Sequence, residues 1–279
     1  MLTSGSALLQ RAHTGACCRH WPAPLAARRA PASAARMRAR GPVPPAAAPA
    51  SQQQQQQLDG ALAALAAARR AAAPDDEIAA GIAAAQALAA AAGADAVFPD
   101  LNDGSFEGLT LSGRMVKMLS GDAPITLQAL SFGLYQPGDL KVRTIGGDAA
   151  RVFKGRRFGR ENTYVISTPI RLEEAGVEGV SHAIATYHPV EGNPRRLEVR
   201  FAALRLEPSA GAAPGDLQKW LAALAGSNPG MDPGSGALEV EIPQGAMPVG
   251  WMDYSAMTQE WQLVTGNGGS TTLLRRVAE

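Results

Sequence analysis

The side chains best equipped for chemistry in this sequence are two histidines, one basic run and a tyrosine near the C-terminus, Tyr254. His182 and His188 are six residues apart, an even spacing that puts both on one face of an extended strand unless Pro189 ends it first. A zinc centre needs three or four ligands, and the nearby Glu178 and Glu191 complete no recognisable spacing, so no metal site is expected. A Ser-His-acid relay assembles from distant positions, so Ser181 beside His182 says little. No G-x-S-x-G elbow occurs, because Gly234-Ser235-Gly236 lacks the spacing, and the plainer reading is of histidines on the surface or held by hydrogen bonds. Gly266-Asn267-Gly268-Gly269 has neither the dinucleotide spacing nor a Gly-Lys-Ser/Thr ending; it reads as a hairpin turn that needs positive φ. No catalytic residue and no cofactor is expected.

Arg151, Lys154, Arg156, Arg157 and Arg160, interleaved with Phe153 and Phe158, form the one concentrated positive site. Three readings compete: a solvated loop, contact with anionic membrane headgroups, and nucleic acid. The aromatics are not spaced to stack successive bases from one strand face, so nucleic acid ranks last.

Charge is distributed unevenly along the 279 residues. Residues 1–58 hold seven arginines, no lysine and no acid, whereas the remaining 19 basic residues are set against all 25 acids, a net of −6. The folded part is therefore mildly acidic, which disfavours a general attraction to nucleic acid. Cys17 and Cys18 both lie in the basic stretch, leaving the rest without a thiol for a disulfide, a cysteine zinc site or a nucleophile. No run reaches the roughly 18 apolar residues of a membrane span. A leader rich in Arg, Ser and Ala, empty of acid and broken by prolines has the composition of an organelle transit peptide, and residues 1–57 are expected to be that leader plus a Gln-rich spacer.

The elements that must position any site follow from periodicity. From residue 61 to 96, 21 of 36 residues are Ala, and Leu58, Leu62, Leu65, then Ile78 and Ile82, recur on one helical face. Pro74 breaks the segment, and Asp75, Asp76 and Glu77 suit the positive start of a second helix. An Ala-rich helical hairpin over 58–98 is expected. Beyond Pro99, β-branched and aromatic residues alternate in short runs; candidate strands are 109–119, 125–132, 140–145, 163–172, 180–187, 197–206, 238–242, 247–254, 261–265 and 271–277. One face of each reads as wet. A single helix, 216–225, interrupts them. With almost no helices for parallel crossovers, residues 99–279 are expected to form a mainly β domain, an antiparallel barrel or strongly curled sheet.

Gly250-Trp251-Met252-Asp253-Tyr254, Met257, the run 261–265, Gly266-Asn267-Gly268-Gly269 and Leu273-Leu274-Arg275 together resemble the closing signature of the plastid lipid-associated protein (PAP/fibrillin) family. The stretch from Leu130-Ser131-Phe132 to Gln136-Pro137, Asp139-Leu140-Lys141-Val142, and Leu197-Glu198-Val199-Arg200-Phe201 are similar to its middle segments. The resemblance implies a lipocalin-like barrel in the chloroplast, on plastoglobules or thylakoids. It further implies a non-enzymatic role, binding or coating prenyl quinones, carotenoids or related lipids. On that reading Tyr164, Ile166, Val199, Phe201, Leu238 and Val240 point inward as ligand or core residues with Phe132 near the mouth, while the basic run meets headgroups at a peripheral membrane surface. Two alternatives remain: a lipid or pigment hydrolase or isomerase using His182 or Tyr254 in the cavity, and a structural coat for lipid bodies.

Overall fold

A computed structural model describes residues 52–92, 103–113, 123–131, 133–145, 149–243 and 249–278; the leader, Phe132 and most of the run 113–122 lie outside the described residues. Two helices come first, α1 (Gln52–Arg70) and α2 (Asp75–Ala91), the second opening on Asp75, Asp76 and Glu77 as the helix dipole favours. The strands are β1 (Gly104–Ser112), β2 (Ile125–Thr126), β3 (Lys141–Thr144), β4 (Ala149–Arg157), β5 (Arg160–Leu172), β6 (Val177–Val190), β7 (Asn193–Pro208), β8 (Leu238–Glu241), β9 (Gly250–Met257), β10 (Trp261–Gly266) and β11 (Thr271–Val277), with helix α3 (Pro214–Leu224) between β7 and β8.

Eight of these strands close on themselves. The order β4-β1-β11-β10-β9-β7-β6-β5 is hydrogen-bonded throughout in antiparallel register, and β5 returns to β4. A barrel of this strand number leaves no free edge around its wall and an interior that side chains can fill. β3 continues along β5 beyond β4, and β8 lies along β7 beyond β9, so both lengthen the wall at one end.

The inner face divides into two clusters. At one end lie Phe106, Val152, Tyr164, Tyr187, Val199, Tyr254 and their neighbours. At the other, Ile170, Leu172, Leu204 and Leu206 meet Trp220 and Leu224 of α3 together with Leu238. α3 docks there because Gly179 leaves room: a Cβ at that position would fall 2.3 Å from the Trp220 ring. The indole Nε1 donates to the Gly236 carbonyl at 2.9 Å, satisfying the one polar atom this burial would strand.

The outer face is drier than alternation predicts. Leu58, Leu62, Leu65, Ile78, Ala85 and Ala89 of α1 and α2 pack on Leu109, Leu111, Ala256, Trp261, Leu263 and Leu273, which all point out of the barrel. Elsewhere Val165, Ile184 and Ala203 are buried on the outside because Phe153 and Phe158 fold over them. Phe158 and Gly159 take φ of +52° and +73° at the β4–β5 turn, the tight primed geometry that curls this hairpin back onto the wall.

Other expectations shift as well. The first strand begins at Gly104, earlier than 109. The segment expected as strand 125–132 is two extended residues and one helical turn, Leu127–Leu130, capped by Thr126 Oγ1 accepting from the Ala129 amide at 3.2 Å. The basic run expected as a loop is β4 with the start of β5. Pro189 does not end β6: it pairs with Leu197 on β7.

Candidate functional site

Inside the first cluster sits a polar group that strand alternation alone puts there. Lys154 lies opposite Tyr164 on neighbouring strands, two positions from Val152, and so faces inward; it is 1% exposed. Its Nζ donates to Tyr254 Oη at 3.0 Å and to Gln262 Oε1, and stands over the rings of Phe106 (4.6 Å) and Tyr254 (4.8 Å). Burial pushes the amine well below the usual lysine range; Arg276 pushes the same way and Asp103 opposes. Burial likewise lifts the Tyr164 phenol to about 12 and Tyr254 well above 10, the latter helped by Tyr164, Tyr187 and Asp103. This end of the barrel thus holds an amine whose charged form burial disfavours, two phenols that stay protonated at neutral pH and an amide. Tyr187 Oη donates to the Asp103 carboxylate, and Arg276 Nη1 donates to the Asp103 carbonyl at 2.7 Å, bordering the cluster. Such a set can hold one carbonyl or hydroxyl of an otherwise apolar guest by hydrogen bonds.

The residues expected to line the interior fall around it. Tyr164 and Val199 belong to the cluster that contains Lys154's neighbours, and Leu238 and Val240 to the one capped by α3. Ile166 and Phe201 lie between, with Phe201 packed against both. Ile166, Phe201 and Val240 keep partial exposure although they face inward, as does Ala183, the cross-strand partner of Ile166. These four residues keep some accessible surface where the two clusters meet. Phe132 lies outside the described residues.

The basic run is split by the same alternation. Arg151, Arg156 and Arg157 are exposed on the outer side, and Arg157 stacks 4.9 Å from Phe153. Arg160 is pinned to Glu239 and Glu241 of β8. Lys154 is interior, where no headgroup reaches it. His182 is on the outer wall, buried under Phe158, while His188 is exposed. Thus His182 is not in the cavity, and of the two residues weighed for interior chemistry only Tyr254 is there.

Sequence reasoning missed Lys154, Gln262, Tyr187 and Asp103 as a group. The first strand to read was the one not assigned: had 149–157 been taken as extended, Val152 and Lys154 would have fallen on one face and Arg151 and Phe153 on the other. Set against known proteins, the chain matches no family model, no curated protein and no solved structure.

Proposed function

We propose that this protein is a plastid lipid-associated protein of the PAP/fibrillin kind. Its lipocalin-like barrel, with an Ala-rich helical hairpin against the outer wall, binds or shields a small hydrophobic molecule such as a prenyl quinone, a carotenoid or a related lipid. The interior acts by binding and carries out no reaction on its guest, and the exterior rests on a plastoglobule or thylakoid surface in the chloroplast. The observation that carries this reading is the partial exposure of the inward-facing Ile166 and Phe201 between two otherwise buried clusters. Accessible aliphatic and aromatic surface there, with the Lys154, Tyr254 and Gln262 set at one end, suits a ligand that is greasy along its length and polar at its tip. The similarity read over the closing segment falls on β9 to β11 and supports the family. Arg151, Arg156 and Arg157 supply the outward positive charge for anionic headgroups.

The test is a titration of the full chain with decylubiquinone, read by quenching of its tryptophan and tyrosine fluorescence. Saturable quenching that is lost in Phe201→Glu, with the circular dichroism unchanged, is the expected result. Non-saturating quenching, identical in both proteins, removes the pocket from the account.

A further inference from the structure

We propose that the outer wall of the barrel carries a separate catalytic site, in which Ser167, His182 and Glu207 act as nucleophile, base and orienting acid for hydrolysis of an acyl ester bearing an anionic group. The three residues come from adjacent strands. Ser167 on β5 pairs directly with His182 on β6, His182 pairs with Arg205 on β7, and Glu207 is the next outward position along β7. Ser167 Oγ lies 2.8 Å from His182 Nδ1, and His182 Nε2 lies 3.1 Å from Glu207 Oε1. Because a carboxylate only accepts, Nε2 carries the proton in that bond and Nδ1 is left as the acceptor facing the hydroxyl. This is the connectivity a Ser-His-acid relay requires, with the two ring nitrogens exchanged.

The surroundings hold the relay in place. The other Glu207 oxygen accepts from Arg205 Nε at 2.7 Å, and Arg205 Nη1 reaches Glu239 at 3.4 Å. Phe158 packs edge-on against the imidazole, ring centres 5.6 Å apart, from a left-handed backbone conformation at φ +52° that a phenylalanine rarely adopts. His182 is 5% exposed. Burial holds its pKa below the usual histidine value; Glu207 opposes this, and Arg157 and Arg205 reinforce it, so the ring is neutral and able to accept a proton near pH 7. Burial would raise the Glu207 pKa, but its bonds from Arg205 and His182 bring it below the ordinary value and keep the carboxylate ionised.

Ser167 and His182 open onto a groove of about 710 Å³. Phe153, Val180 and Val277 give it an apolar lining, and Arg151, Arg156 and Arg157 give it three guanidinium groups. The first set suits an acyl chain and the second an anionic substituent. Arg151 is the cross-strand neighbour of Ser167 and lines the same groove, which makes it the candidate cation for the oxyanion charge that develops there. In the reaction, Ser167 Oγ bonds to the ester carbonyl carbon as its proton passes to His182 Nδ1. The bond to the alcohol oxygen then breaks and the alcohol leaves with that proton. Water, giving a proton to the same nitrogen, adds to the acyl carbon; the acid departs and the proton returns to Ser167 Oγ.

The site is independent of any guest inside the barrel. Its test treats the full chain with a fluorophosphonate and, separately, with the 4-nitrophenyl monoester of glutaric acid and the neutral 4-nitrophenyl valerate. Expected are a phosphonyl adduct mapped by mass spectrometry to Ser167, hydrolysis of the anionic ester above the neutral one, and a rate about 100-fold or more lower in Ser167→Ala and in His182→Gln. The pH profile should rise to a plateau with its midpoint below about 6.5, the unperturbed histidine value. Arg156→Gln, on the exposed rim, should lower the anionic-to-neutral rate ratio. A folded protein that takes no adduct at Ser167, or a Ser167→Ala variant that hydrolyses the anionic ester as fast as the parent, overturns the proposal.

Discussion

Replacing Lys154 by Met tests the chemistry of the barrel interior through a slope rather than a single value. An unfolded lysine titrates near 10.4, whereas the folded amine, buried between Phe106 and Tyr254, titrates well below that. Between those two pH values the unfolded chain holds one proton that the fold does not, so stability rises with pH, by up to about 1.4 kcal/mol per unit. The gain ends once the unfolded lysine has also lost its proton. Lys154→Met removes this linkage. At any one pH the variant also loses the Lys154 hydrogen bonds to Tyr254 Oη and Gln262 Oε1, about 0.5–1.5 kcal/mol each, offset by relief from burying the amine. The informative quantity is therefore how the offset moves. Urea unfolding at several pH values up to about 9.5, kept below the range where unfolded tyrosines titrate, should show the difference shifting toward the parent protein as pH rises past the folded value. Lys154→Arg should be worse than Met throughout, because a guanidinium cannot shed its charge. Parallel stability curves for parent and Met variant across that range would refute the reasoning, since they mean the amine keeps its proton inside the barrel.

Other perturbations probe other parts of the molecule. Gly179→Ala drives a methyl into Trp220 and, at 2.5 Å, into the Glu207 carbonyl; a loss of about 3 kcal/mol or more, a fall of roughly 6–12 °C in Tm, is expected in a calorimetric scan. Tyr135→Phe deletes a buried hydroxyl with no partner among the described residues, and chemical denaturation should show stability unchanged or raised by about 1 kcal/mol. Acidification should destabilise the fold through His182: its folded pKa is below the unfolded one, so its contribution is complete above about 6.5 and is lost as pH falls from there toward the folded value, a dependence absent from His182→Gln. Binding to mixed phosphatidylglycerol and phosphatidylcholine vesicles, measured by co-sedimentation, should weaken by about fivefold or more for each of Arg156 and Arg157 changed to Glu.

Much of the wall was legible because alternation is a local signal. The strands around Thr163, Leu197 and Leu238 show apolar residues at every second position, and the Asn267-Gly268 turn marks the hairpin between Trp261 and Val277. β4 was not legible: Arg151, Lys154, Gly155, Arg156 and Arg157 read as a solvated loop because charge and glycine outweigh the two apolar positions. The outer burial of Val165, Ile184 and Ala203 depends on where a distant turn folds, and the meeting of Ser167, His182 and Glu207 depends on register across three strands. Neither is written in any short window. Closure joins β1 to β11 across most of the barrel's length in sequence, a pairing that periodicity cannot name.

The most direct measurement of the central claim is mass spectrometry of an organic extract of the full chain, purified after exposure to total chloroplast lipids. One class of lipophile retained near one molecule per chain, and displaced in an Ile166→Trp variant that crowds the inner face where the two clusters meet, is the predicted result. Retention of mixed lipids in proportion to their supply, unchanged by that substitution, would contradict it.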